Sequence, residues 1–122
     1  MLVCIYVLVY IKFMNTITMQ STLLTIAEAN RFNIIELLKK KPRSVNELVK
    51  ELNIGQPQVS RHLRILSEAG LVRVNQKAQQ RIYSLEPKPF QKLDAWFDSF
   101  SQLWEERLDQ FESYLSNLER KE

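Results

Sequence analysis

"GQPQVSRHLRIL", residues 55–66, is the stretch on which the reading of this chain turns. It opens on Gly55, places Pro57 two positions on, and then spaces Val59, Leu63 and Leu66 by three and four residues. Proline is tolerated in the first turn of a helix, where its missing N–H would have no partner, so a helix is predicted from about Pro57. Gly55 or Gln56 takes the capping position, and Gly70 supplies the left-handed residue that ends the helix after Ala69. At about 100° per residue, Val59, Leu63 and Leu66 form a buried stripe. Pro57, Arg61 and Arg64 lie opposite, and Gln58 and Ser60 flank them. His62 falls at the edge of the buried stripe, as a packing residue with room for one phosphate or backbone bond.

Working outward, "SVNELVKEL" (44–52) opens on a Ser44–Glu47 capping box and turns Val45, Leu48, Val49 and Leu52 inward. A tight turn joins it to the next helix. Downstream, "LVRVN" (71–75) and "RIYSL" (81–85) alternate and are rich in β-branched and aromatic residues, which predicts a hairpin joined by "QKAQQ". Upstream, "STLLTIAEAN" (21–30) is consistent with a short amphipathic helix. "RFNIIELLKKK" (31–41) follows, with Asn30 as N-cap, Phe32, Ile35 and Leu38 on one stripe, and Pro42 as the stop. The fold class is therefore mainly α with a small β-hairpin wing: a winged helix-turn-helix in the order α-α-α-α-β-β-α.

From Pro87 the pattern changes. Apolar residues recur at 90, 93, 97, 100, 104, 108, 111, 115 and 118. One helix over this range is about 45–50 Å long, whereas a body of this size is only about 25–30 Å across. Either the helix folds back near Asp98–Ser99 or a second chain covers it. The second chain is favoured, with support from residues 20–28, so Leu23, Leu24, Phe97, Phe100, Trp104, Leu108 and Phe111 are assigned to dimerisation. "MLVCIYVLVYI" (1–11) is apolar throughout, but it is shorter than the roughly 20 residues that span a bilayer and lacks the basic region of a secretory signal. It reads as an extension upstream of a start at Met14 or Met19, with a packed strand or helix as the alternative. The organisation is 1–18 apolar extension, 19–85 winged helix-turn-helix, and 86–122 dimerisation helix.

The parts required for other chemistries are missing. One His and one Cys, His62 and Cys4, are too few for a soft zinc site, which commonly takes four ligands. Ser60 and His62 are two apart on a helix and point away from each other, so they form no nucleophile–base pair. Two glycines in all leave no phosphate-cradling loop. No enzyme, cofactor, metal or membrane partner is expected. A single cysteine suits a reducing, cytoplasmic setting.

Charge points to a polyanion. Residues 55–85 carry five Lys/Arg against one Glu, and residues 86–122 carry five against nine Asp/Glu. Gln can bond an adenine edge and Arg a guanine edge, while Ser and backbone amides hold phosphates. Gln56, Gln58, Ser60, Arg61, His62 and Arg64 are assigned to a DNA duplex, with free amides at the Pro57 end as an anion site and Lys77 and Arg81 reaching from the hairpin tip. The competing use of Arg64 is a pair with Glu68, one turn on.

With these residues in place, "QPQVSRHLRILSEAGLV" (56–72) resembles the signature of the ArsR/SmtB family of bacterial and archaeal repressors. The resemblance covers residues 20–85, and the flanking helices are similar to that family's dimerisation helices. Gly55 stands where the family usually has Ser, and Ala29 where it often has Pro. The resemblance implies a homodimeric repressor on an inverted-repeat DNA operator. It argues against metal regulation: metal-responsive members carry Cys-x-Cys where this chain has "NELVKEL", or His/Asp ligands on the last helix, where it has no His. The tail "LDAWFDSFSQLWEERLDQFESYL" looks like a non-metal branch. The alternative is a protein-interaction module that uses the aromatic C-terminal helix, with the helix-turn-helix as scaffold.

Overall fold

Val59, Leu63 and Leu66 are fully buried, and the rest of the core gathers on them. The structure is a computed structural model describing residues 2–120, and the side chains of all of these but Phe13, Asn15, Thr16 and Ile17. Met1 and the last two residues of the expected 86–122 segment lie outside it. The elements are α1 (Leu2–Ile26), α2 (Ala29–Lys40), β1 (Arg43–Ser44), α3 (Val45–Leu52), α4 (Gln56–Glu68), β2 (Val72–Lys77), β3 (Gln80–Leu85) and α5 (Pro87–Arg120). The chain divides into two compact units, one up to Phe90 and one from Gln91.

In the first unit α2 contributes Ile34, Ile35 and Leu38 to the core, α3 contributes Leu48, and Leu71 and Val72 close it where the hairpin begins. Burying each such side chain stabilises the fold by about 1.5–3 kcal/mol. Phe32, expected on the α2 core stripe, is 50% exposed. It lies roughly 110° around the helix from the centre of the Ile34–Ile35–Leu38 face. The predicted inward residues of α3 all pack on the core, Leu48 fully and Val45, Val49 and Leu52 in part.

Three boundaries differ from the sequence reading. The short helix at 21–30 is not separate: residues 21–26 are the last turns of a 25-residue α1 that neither Gly nor Pro interrupts, and Ala29 and Asn30 open α2. The first half of α1 is apolar on every side and exposed, yet among the described residues no helix is long and apolar enough to cross a membrane. The N-cap of α2 is Glu28 rather than Asn30, and its carboxylate accepts the Arg31 N–H at 2.9 Å. The hairpin turn is two residues long, Ala78–Gln79, with Ala78 at φ 56°.

A third strand was not anticipated. β1 pairs with β3 (Arg43 opposite Tyr83, Ser44 opposite Ile82), giving the antiparallel order β1-β3-β2. Ser44 also caps α3: its hydroxyl accepts the Glu47 N–H at 3.3 Å, and it lies 3.4 Å from the Glu47 carboxylate. Arg43, though charged, is buried, and donates to the Leu37 carbonyl and to Glu51. Asn53, in the left-handed region, turns the chain from α3 toward α4 and donates to Val49 O. Gly70, at φ 76°, ends α4 as predicted.

The second unit is the body of α5, which runs unbroken past Asp98–Ser99. The fold-back considered for that point does not occur. Ser99 and Ser101 return their hydroxyls to the carbonyls of Trp96 and Asp98 and stay within the helix. Trp96 makes edge-on contacts with Phe97 and Phe100, with ring centroids 5.0 Å apart in each case.

Two stability measurements follow from this packing. Leu63→Ala should cost about 2–5 kcal/mol in urea unfolding, because the site is enclosed by α2, α3 and the hairpin base. The Glu28 carboxyl is held below its ordinary value, chiefly by the Arg31 N–H, with smaller help from the Asn30 N–H and the charges of His62 and Arg31, against partial desolvation. A lowered carboxyl contributes stability that is present above its unfolded pKa of about 4.3 and is lost as pH falls through the folded value. Glu28→Gln should therefore be less stable than the parent at pH 7, by about 0.5–1 kcal/mol on the scale of a lost cap. The deficit should shrink below pH ~4.

Candidate nucleic-acid interface

Since Val59, Leu63 and Leu66 hold α4 by one face, its other face is set by helix geometry. Gln56, Pro57, Gln58, Ser60, Arg61 and Arg64 are all exposed. Five of them, all but Gln58, line a groove of about 750 Å³ between α4 and the hairpin, along with Ser67, Val74, Arg81 and Tyr83. The far wall follows from register: Val74 lies opposite Tyr83, and Arg81 is two residues from Tyr83 on the same face of β3. Lys77 is exposed beside the turn and does not line the groove.

Arg61, Arg64, Lys77 and Arg81 make no ion pair among the described residues. The Arg64–Glu68 pair weighed from sequence is not formed, although both residues line the groove. The groove thus brings three arginines, Arg61, Arg64 and Arg81, beside Gln56 and Ser60, with one carboxylate at its edge. This is a surface of donors and cations suited to a polyanion rather than to a neutral ligand.

Two sequence expectations need correction. The amides at the start of α4 are not free: Gln58 N and Val59 N both donate to the Gly55 carbonyl at 3.1 Å, and Pro57 has no N–H. The helix start therefore offers less to an anion than the bare proline motif suggests. His62 is not on the exposed face; it is 5% exposed, and its Nδ1 lies 3.5 Å from Arg31 Nη1 and 3.7 Å from Glu28 Oε2. Its borderline angle is resolved inward because the Glu28–Arg31 turn offers it polar partners.

Sequence reasoning missed Ser67, Val74 and Tyr83 as groove residues. Ser67 could have been found by continuing the Ser60–Arg64 face one turn. Val74 could have been found from β2 alternation, since it shares a face with the buried Val72. Tyr83 depends on how the hairpin folds over α4, which no local pattern encodes.

Comparison with known proteins agrees with this geometry. The sequence model of the family described as "Bacterial regulatory protein, arsR family" matches residues 29–74. The HTH-type transcriptional regulator Rv2034 of Mycobacterium tuberculosis is 35% identical over 75 residues, covering 62% of this chain and 70% of that one. The transcriptional repressor SdpR of Bacillus subtilis is 29% identical over 82 residues, covering 67% and 91%. Among solved structures, the transcriptional repressor BigR from Xylella fastidiosa superposes with a TM-score of 0.55 at 32% identity, covering 66% of this chain and 84% of that one. A winged helix-turn-helix with an arginine-lined reading face and this degree of likeness places the chain in the ArsR/SmtB family of DNA-binding transcriptional regulators.

Proposed function

We propose that the protein is a homodimeric repressor whose two α4 helices enter successive major grooves of an inverted-repeat operator, in the cytoplasm and without metal control. The observation that carries this reading is the groove in which Arg61, Arg64 and Arg81 stand without acidic partners beside Gln56 and Ser60. Gln56, Arg61 and Arg64 read base edges, Ser60, Gln58 and Arg81 hold flanking phosphates, and Lys77 extends the contact at the hairpin tip. Relatives named as repressors, SdpR and BigR among them, support the direction of control.

Dimerisation draws support from the apolar row of α5. Phe97, Phe100, Trp104, Leu108 and Phe111 are all exposed, as is Leu24 on α1, whereas Leu23 is half-buried. A contiguous apolar row of this length is a surface for association rather than for water. Metal independence is supported by the ligand supply: "NELVKEL" holds no Cys, and the single His is buried against Glu28 and Arg31.

Four measurements test this reading. Arg61→Ala should lose about 1–3 kcal/mol of affinity for a duplex selected from random-sequence DNA and relax preference at one base position. Arg81→Ala should weaken all duplexes alike and reduce the salt slope by about one. Unchanged selectivity in the first variant would remove Arg61 from the reading set. Trp104→Ala should lower dimer content in sedimentation and DNA affinity together; loss of neither would count against the dimer. Zinc or arsenite should leave the complex intact, and release by either would overturn metal independence.

A further inference from the structure

The buried histidine stands between two partners that demand opposite protonation states. Arg31 Nη1, 3.5 Å from Nδ1, can only donate, so it needs a ring nitrogen that accepts, which the neutral imidazole provides. Glu28 Oε2, 3.7 Å from the same nitrogen, can only accept, so it needs a ring that donates there. Both partners sit at the start of α2, Glu28 as its cap and Arg31 in its first turn, but only Arg31 reaches on to another element. Arg31 is anchored by its Nε to the Thr25 carbonyl at 2.7 Å, in the last turn of α1. Glu28 is the N-cap of α2, through the same oxygen that faces the ring. His62 itself sits between Arg61 and Leu63 in α4. Among the described residues, Glu28 and Arg31 are the charged groups that reach the ring. α3 and β2, which also pack on α4, bring no titratable group within hydrogen-bond or ion-pair distance of it.

We propose that His62 is a positioning residue whose proton selects the hold on the reading helix: the neutral ring ties α4 through Arg31 to α1, and the protonated ring ties it through Glu28 to the start of α2. The exchange takes one proton from solvent onto Nδ1 and breaks no covalent bond. In the protonated form Arg31 faces a like charge and withdraws its Nη1, so the link from α4 to α1 is lost. The inference rests on the DNA-binding reading above, in which α1 belongs to the dimer and the spacing of two α4 helices matters. On that reading the neutral form is the tighter binder.

The sign distinguishes this mechanism from a general charge effect. Acidification makes any protein more positive and should raise its affinity for DNA, whereas loss of the α1 tie lowers it. His62 is the chain's one histidine, so a transition that disappears in His62→Gln reports a single imidazole. The experiment measures affinity of the full chain for a duplex that it has selected from random-sequence DNA at pH 7.5, followed down to pH 5.5 at several salt concentrations. Affinity should fall by about fivefold, the lower end of typical couplings between sites. The salt slope should not change, because the ring contacts no phosphate, and the transition should track the imidazole resonances by NMR. His62→Gln should lose this pH dependence, and Glu28→Gln should make it shallower. A rise or no change on acidification, or the same fall in His62→Gln, would overturn the proposal. If His62→Gln does not fold, Glu28→Gln decides: a fall equal to the parent's overturns it. Failure to select any duplex at pH 7.5 instead sinks the DNA-binding reading, and this inference with it; a flat profile with DNA binding intact sinks the inference alone.

Discussion

One helix is asked to be core and exposed basic surface at once, and the rest of the molecule depends on how that is reconciled. α4 buries Val59, Leu63 and Leu66 completely. Because these residues recur every three or four positions, they fix the rotation of the helix about its axis as well as its place. Once that rotation is set, Arg61 and Arg64 have no inward option. The surface chemistry is thus imposed from behind by α2, α3 and the hairpin base, none of which supplies the outward side chains of α4. The exposed basic face and the stability of the core are coupled through this single element.

The charges in the first unit follow the same division. Arg43, which meets Glu51 and Leu37 O, is buried and structural, whereas Lys39 keeps its pair with Glu36 at the surface. Among the described residues, Arg61, Arg64 and Arg81 on the groove side make no ion pair. Arg73 stands between the two: it is exposed, yet it reaches Ser84 and lies near Glu86 at the hairpin base. Unpaired arginines cost little while hydrated and interact strongly once a polyanion displaces that water. An ion-paired arginine would first have to give up its partner.

What could be read from sequence was what neighbours in sequence decide. The start, stop and buried stripe of α4 follow from Gly55, Pro57, Gly70 and the spacing of three leucine and valine residues, so its outward set was largely legible. The length of α1 was less legible: its apolar run and its polar stretch carry no common period, yet neither Gly nor Pro breaks the helix between them. β1 was not legible: two residues have no period, and Arg43–Ser44 is a strand only because β3 passes beside it. His62 was ambiguous for a related reason. Its helical angle is marginal, and its inward turn is decided by Glu28 and Arg31, some thirty positions away in the chain. The groove's far wall, Val74 and Tyr83, depends on the same long-range closure.

The smallest strand has a mechanical consequence. Ser44 is the last residue of β1 and also the cap of α3, so peeling the sheet at this point would uncap a helix. β1 reaches only Ile82 and Tyr83, which leaves the outer rungs, from Gln76 opposite Arg81 to Lys77 opposite Gln80, held by one neighbour alone. The third strand therefore clamps the middle of the wing, while the base is held by the burial of Leu71 and Val72. Arg81 and Lys77 sit beyond the clamp, on rungs with one neighbour, while Tyr83 is paired on both sides, with Arg43 and with Val74. The groove wall thus spans both parts of the hairpin, Tyr83 where the sheet is three strands wide and Arg81 where it is two.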